Sequence, residues 1–303
     1  MKFENPFSLD DFDRAGRVTA TPEMHADSWF AGVQACIHFV EQFMKPHILG
    51  LIGARSPREE AVLDIYYGIV GFTLSINALR NPWNVQAIAG CSRSTFELYN
   101  DLLLVHQDAS ALGVERFHAF VDVERLRVAR VRLRFFDAHA ELPQGQAGMD
   151  VQRDFVRDDA PRIEADVQRL WSGRWPKHWS GIRGGVERAQ AVGLDCEALY
   201  WQYYAHLSWL AHTASVGTRR VAKESIHMVV ANALELVRLT VPSSFGIVAG
   251  ELRFDGVIDE MDDKLEFLRQ VFFFRLTALK LGQPERFSFI DDVVAAGPEP
   301  RTT

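Results

Sequence analysis

Residues 56–78, SPREEAVLDIYYGIVGFTLSINA, decide the fold class. Ser56 is a hydroxyl N-cap, Pro57 stands at the first helical position, and Glu59 follows the cap by three residues, the spacing of a capping box. Beyond this start Val62, Ile65, Ile69, Phe72 and Ile76 recur at steps of three and four. That period gathers apolar side chains on one face of an α-helix. A half-buried strand would alternate with period two, and no useful length of the chain does so. The stretch predicts a helix from Pro57 to about residue 80, and an all-α protein without a sheet.

The same punctuation repeats on both sides. Thr21-Pro22-Glu23 starts a helix that should run to Met44, before Pro46. Asn81-Pro82 starts another, carried to about His106. Residues 110–140 and 149–172 read as two long helices joined by the turn Leu142-Pro143-Gln144-Gly145, with Pro161 kinking or splitting the second. Gly173-Arg174-Trp175-Pro176, Trp179-Ser180-Gly181 and Gly184-Gly185 mark a loop. A short helix over 184–192 ends at Gly193, and another runs from Asp195 to Ala211. Residues 219–241 form a helix that Pro242 should stop. Residues 257–281 form the last one, with a heptad-like seam of Met261, Leu265, Leu268, Phe272 and Leu279. There is no fixed-period repeat and no Gly/Ser-rich linker. The expectation is a single multi-helix bundle over 21–290, from which the hairpin 110–172 is free to project. Residues 1–20 read as an extended or loosely docked arm and 291–303 as a flexible tail.

Hydrophobic residues make up 48% of the 303 and charged residues 24%, enough to bury a substantial core. The net charge of −7 argues against broad nucleic-acid binding but leaves room for a local basic patch. Cys36, Cys91 and Cys196, odd in number and widely spaced, give neither a disulfide framework nor a metal pattern, and read as small buried apolar residues. The opening MKFENPFSLDDFDRAG is polar and acidic, unlike a secretory signal, and no uninterrupted apolar run reaches the ~18 residues of a membrane span. The expected location is the cytoplasm, with no membrane partner.

Two constellations carry chemistry inward. Arg93 and Glu97, four apart, share a face of the otherwise apolar third helix. They bridge two helices, or Arg93 receives an anion. In LYWQYYAHLSWLAHTAS, residues 199–215, Tyr200, Tyr204, Ser208 and His212 fall at successive four-residue steps. This hydroxyl row ending in an imidazole can join Arg93 and Glu97 in one hydrogen-bonded network. It either fixes helix register or makes His212 a general base or ligand-binding group. No nucleophile elbow or triad spacing is present, and the glycines offer no phosphate cradle.

Three further patterns are weaker. Glu115 with His118 and Glu224 with His227 have the Glu-x-x-His spacing of di-metal carboxylate bundles, with Glu97 and Glu60 as further glutamates. Chance gives such spacings in a chain this long, so no metal or cofactor is assigned. Arg127, Arg130 and Arg134 share a face of the hairpin. The next helix carries Asp150, Asp154, Asp158, Asp159, Glu164 and Asp166, so a salt-bridged hairpin is favoured over a phosphate-tracking stripe. Arg134 and His139 have the Arg-x4-His spacing of HEPN ribonucleases.

His178-Trp179-Ser180-Gly181, Glu187-Arg188-Ala189, Gly193 and the row Tyr200, Tyr204, Ser208, His212 resemble the signature of an uncharacterised bacterial all-helical domain family, distantly HEPN-like. Its Arg-x3-Glu helix matches Arg93 and Glu97, and the likeness spans about residues 60–240. The chain departs from it at Ala205, where the family often has arginine. The resemblance implies the all-α fold and nominates these residues, but implies no reaction. The first functional reading is a helical binding or interaction protein, in stress or phage defence, with a polar cluster of Arg93, Glu97, Tyr200, Tyr204, Ser208 and His212. The alternatives are a HEPN-like ribonuclease acting on RNA through Arg134 and His139, or Arg93 and His212, and a di-metal carboxylate bundle. A homodimer suits a bundle of this kind, and no face is singled out for it.

Overall fold

A computed structural model of the chain describes residues 5–51, 53, 55–110, 112–139, 146–211, 223–254 and 258–287. Among them all regular structure is helical. The helices are α1 (Leu9–Gly16), α2 (Pro22–Phe39), α3 (Lys45–Gly50), α4 (Pro57–Ala78), α5 (Val85–Gln107), α6 (Leu112–Ala138), α7 (Gln146–Trp171), α8 (Gly185–Val192), α9 (Leu194–Leu199), α10 (Ala205–Ala211), α11 (Lys223–Glu251) and α12 (Ile258–Lys280). The all-α multi-helix bundle expected from the apolar period is what forms.

The capping box at the head of α4 closes as its spacing requires. Ser56 Oγ accepts from Glu59 N at 3.3 Å, and Glu59 Oε2 accepts from Ser56 N at 2.7 Å. The core lies where α2, α4, α5 and α11 meet, with α12 packed on α2 and α11. Phe39, Tyr66 and Phe245 join three of these helices, with Phe245 5.6 Å from Phe39 and 6.1 Å from Tyr66 between ring centroids. Met261, Leu265, Leu268 and Phe272 of the predicted seam are buried on α12.

Pro242 does not stop its helix, as the sequence had suggested; α11 continues through it to Glu251. A proline inside a helix costs about 3 kcal/mol. Val237, Val241, Phe245 and Val248 on either side are fully buried, and each such side chain contributes about 1.5–3 kcal/mol. Nearby hydroxyls bond carbonyls of the preceding turn, Ser243 Oγ to Leu239 O at 2.9 Å and Ser244 Oγ to Thr240 O at 2.8 Å. Pro46 is likewise absorbed. A π turn over Val40–Met44 re-registers the backbone, and the helix resumes with Pro46 near its first residue, where a missing N–H costs little. The first twenty residues, expected as an extended or loosely docked arm, include the helix α1. Ser8 caps α1, Phe12 packs on Phe274, and Asp11 meets Arg286 at 3.2 Å. The expected tail at 291–303 lies outside the described residues.

α4 and α11 are each long and apolar enough to span a membrane, judged by length and composition. In the fold, 44% and 61% of their most apolar windows are buried among other helices. The hairpin of α6 and α7 has a small core of its own, including Val123, Leu126, Ile163 and Val167. Ion pairs cross the hairpin, but of the arginine row on α6 only Arg130 meets an acid of α7, Glu164 at 2.5 Å; the other bridges run the opposite way, Arg162 to Asp122 at 2.7 Å and Arg169 to Glu115 at 2.5 Å, while Arg127 pairs with Glu124 of its own helix.

Candidate functional site

The long α5 carries Arg93, Glu97 and Asp101 at successive four-residue steps, so all three face the same way. Against this face lie the loop 178–184, the start of α8, and the tyrosines between α9 and α10. Those tyrosines sit in a second π turn, Tyr200–Tyr204. Such turns are rare and concentrate at functional sites, because the extra residue re-aims a side chain.

Three groups close a ring. Arg93 Nε donates to Tyr204 Oη at 2.9 Å and to Glu97 Oε1 at 3.1 Å. Tyr204 Oη in turn donates to Glu97 Oε1 in a very short bond. The guanidinium carbon lies 5.2 Å from the Tyr204 ring centroid, and Tyr200 stacks on Tyr204 at 4.9 Å. Burial, then the bond to Glu97, raises the Tyr204 phenol well above its ordinary range. Burial works against the Arg93 charge, but the contacts with Tyr204 and Glu97 outweigh it and raise its pKa. The hydroxyl therefore stays protonated and the guanidinium charged. Tyr204 is buried, whereas the Arg93 and Glu97 side chains are 25% and 36% exposed, so the ring stands at the rim of the core.

One turn further along α5, a second relay begins. His178 Nε2 lies 3.0 Å from Asp101 Oδ1, in a contact that is not aligned as a hydrogen bond. His178 Nδ1 is 2.9 Å from Ser180 Oγ and accepts from Ser180 N at 3.3 Å. Because Nδ1 accepts a backbone N–H, the neutral imidazole carries its proton on Nε2, facing the carboxylate. The intervening Trp179 is buried and locks the loop. Its carbonyl accepts from Trp171 Nε1 at 3.0 Å, and its ring meets Phe117 edge-on at 5.7 Å. Gly185 lets α8 approach: a Cβ there would lie 3.3 Å from Tyr200 Cε2 and 3.9 Å from Arg188 Nη2.

The structure thus joins Arg93 and Glu97 to Tyr204, with Tyr200 stacked behind. Ser208 is half-buried on α10 and does not enter the ring. His212 lies outside the described residues. Asp101 was legible as the third member of the four-step row on α5 but was not singled out, and no sequence signal linked it to His178. A second polar junction also escaped notice. Arg58 makes two bonds to Glu251, at 2.7 and 2.9 Å, and two to the carbonyls of His106 and Asp108. It ties the start of α4 to the ends of α5 and α11 across 193 positions of sequence.

The other nominated groups do not assemble. Glu115 pairs with Arg169, and His118 Nε2 bonds the Pro57 carbonyl at 2.7 Å. Glu60 is exposed, and the side chain of Glu224 lies outside the described residues. Among the described residues no three His, Cys, Asp or Glu side chains come together as a metal site. Arg134 bonds the Arg130 carbonyl of its own helix at 3.3 Å, and the His139 ring lies tilted beside Phe135 with centroids 4.8 Å apart, at the end of α6. Cys36 and Cys196 are buried, which pushes their thiols up to about 12 and about 11, and burial raises Cys91 too. In comparisons with family models, with curated proteins and with solved structures, the chain finds no match.

Proposed function

We propose that this chain is a helical binding protein whose site is the wall formed by α5, the loop 178–184, α8 and the Tyr200–Tyr204 turn, and that this wall takes a small polar ligand through an anionic group at Arg93. One observation carries the reading. Stretches far apart in sequence, Arg93–Asp101, His178–Ser180, the start of α8 and Tyr200–Tyr204, converge on a single wall. They are the same stretches that carry the resemblance to the all-helical domain family. The Arg93 side chain is 25% exposed, and a phenol and a carboxylate fix the orientation of its guanidinium. Such a held, partly exposed arginine can offer its remaining N–H groups to a carboxylate or phosphate.

The test is thermal unfolding with and without inorganic phosphate, sulfate or a mononucleotide, on wild type and on Arg93→Met. A ligand that binds only the folded state raises the melting temperature by mass action. At least one anion should raise that of the wild type and leave Arg93→Met unmoved. Equal shifts in both proteins, or none in either, would sink the reading.

A further inference from the structure

Where α6 shows Arg127, Arg130 and Arg134, a groove of about 530 Å³ lies between α6, α7 and the loop after α7. Small organic ligands occupy clefts of about 300–1,000 Å³. Leu133 and Val156 give the groove apolar surface, and Trp175 lines it with 40% of its own surface exposed. The indole is held there. Ser172 and Gly173 both take left-handed backbone, φ 53° and 75°, as the chain leaves α7, and for Ser172, which carries a Cβ, that conformation is strained. The next residue after the indole, Pro176, is buried, and its carbonyl accepts from Arg127 Nη2 in a very short bond. The Arg130 guanidinium carbon lies 5.7 Å from the Trp175 ring centroid. A fixed, partly open indole beside guanidinium groups offers a face for a flat ring.

The charges of the groove nearly cancel. Arg127 pairs with Glu124, Arg130 with Glu164, and the Asp137 that also lines the groove pairs with Arg153 at 3.1 Å. Arg134 spends its Nε on the Arg130 carbonyl, and among the described residues it meets no carboxylate. One uncompensated cation therefore remains, a helical turn from the arginine beside Trp175. We propose that this groove binds a small aromatic monoanion, its ring against Trp175, Leu133 and Val156 and its anionic group on Arg134. One unspent guanidinium matches one negative charge. A nucleic-acid strand would call for several unpaired cations in a row, and the net charge of −7 opposes it. The groove shares no lining residue with the Arg93 wall, so the two readings stand or fall separately.

A ligand-observed NMR titration of the full chain with naphthoate tests this. The wild type should bind it at a single site with a Kd of about 1 mM or tighter. Cyclohexanecarboxylate, which has the charge without the flat ring, and naphthalenemethanol, which has the ring without the charge, should each bind about fivefold or more weakly. Arg134→Met should weaken naphthoate about tenfold, and Trp175→Leu about fivefold or more. Arg134 is exposed, so its substitution leaves the fold intact and decides the matter should Trp175→Leu disturb the loop. Arg93→Met should bind as the wild type does. No binding by the wild type overturns the proposal, and so does binding that Arg134→Met leaves intact. Naphthalenemethanol binding as tightly as naphthoate, or binding lost in Arg93→Met, overturns it too, the last because the anion would then sit on the other wall.

Discussion

The Tyr204 hydroxyl reaches the Glu97 carboxylate across 107 positions of sequence, and it does so from a π turn rather than an α-helical one. The extra residue in that turn aims the phenol at α5. There it donates to Glu97 while accepting from Arg93. The contact fastens the α9–α10 segment to the core.

Tyr204→Phe keeps the ring stack and removes the hydroxyl, leaving Arg93 and Glu97 one partner short. Urea unfolding should show a loss of about 1–2 kcal/mol. The phenol's pKa is raised in the folded state, so its contribution is whole below its ordinary value of 10 and fades as the pH climbs past it. The wild type should therefore lose stability above pH 10 more steeply than the phenylalanine variant. Parallel alkaline profiles would contradict the buried, protonated hydroxyl.

Arg93→Met deletes the cation and keeps most of the stem. Because Arg93 and Glu97 are both partly exposed, water can take up the vacated bonds of Glu97. The loss should be about 1 kcal/mol, well short of the 3–5 kcal/mol of a sealed ion pair. A fall of several kcal/mol would mean that the ring is closed to solvent.

The junction at the other end of α5 governs stability in acid. Arg58 above all, aided by His106 and opposed by burial, holds the Glu251 carboxyl below its ordinary 4.5. Its stabilisation is complete above pH 4.5 and disappears as the pH falls through the lowered folded value. Glu251→Gln should lower the melting temperature at pH 7, with the gap to wild type narrowing below pH 4. A gap that stays constant from pH 7 to pH 3 would rule out this assignment.

The three thiols should be silent in the native state. Burial raises all three pKa values and so suppresses the reactive thiolate. A chromogenic disulfide reagent at pH 8 should titrate close to none in the folded protein and all three in urea. Prompt labelling of the native chain would show an accessible cysteine.

From sequence alone the helical class, most helix starts and the hairpin were legible, because caps and apolar periods are local. Ser56 and Glu59 are three residues apart, and their bonds depend on no other part of the chain. Arg93 and Glu97 were legible for a related reason, since charges four apart on an apolar helix must meet each other or a partner. What tertiary structure alone decided is who that partner is. Burial of Val237, Val241, Phe245 and Val248 overrode the proline signal at 242. A π turn, which no local pattern announces, chose Tyr204 to close the ring and left Ser208 outside it. His178 met Asp101, and Arg58 met Glu251, only because packing brought distant helices together. Local propensity is written in neighbouring residues, whereas the pairing of polar groups depends on which distant surfaces the core draws into contact.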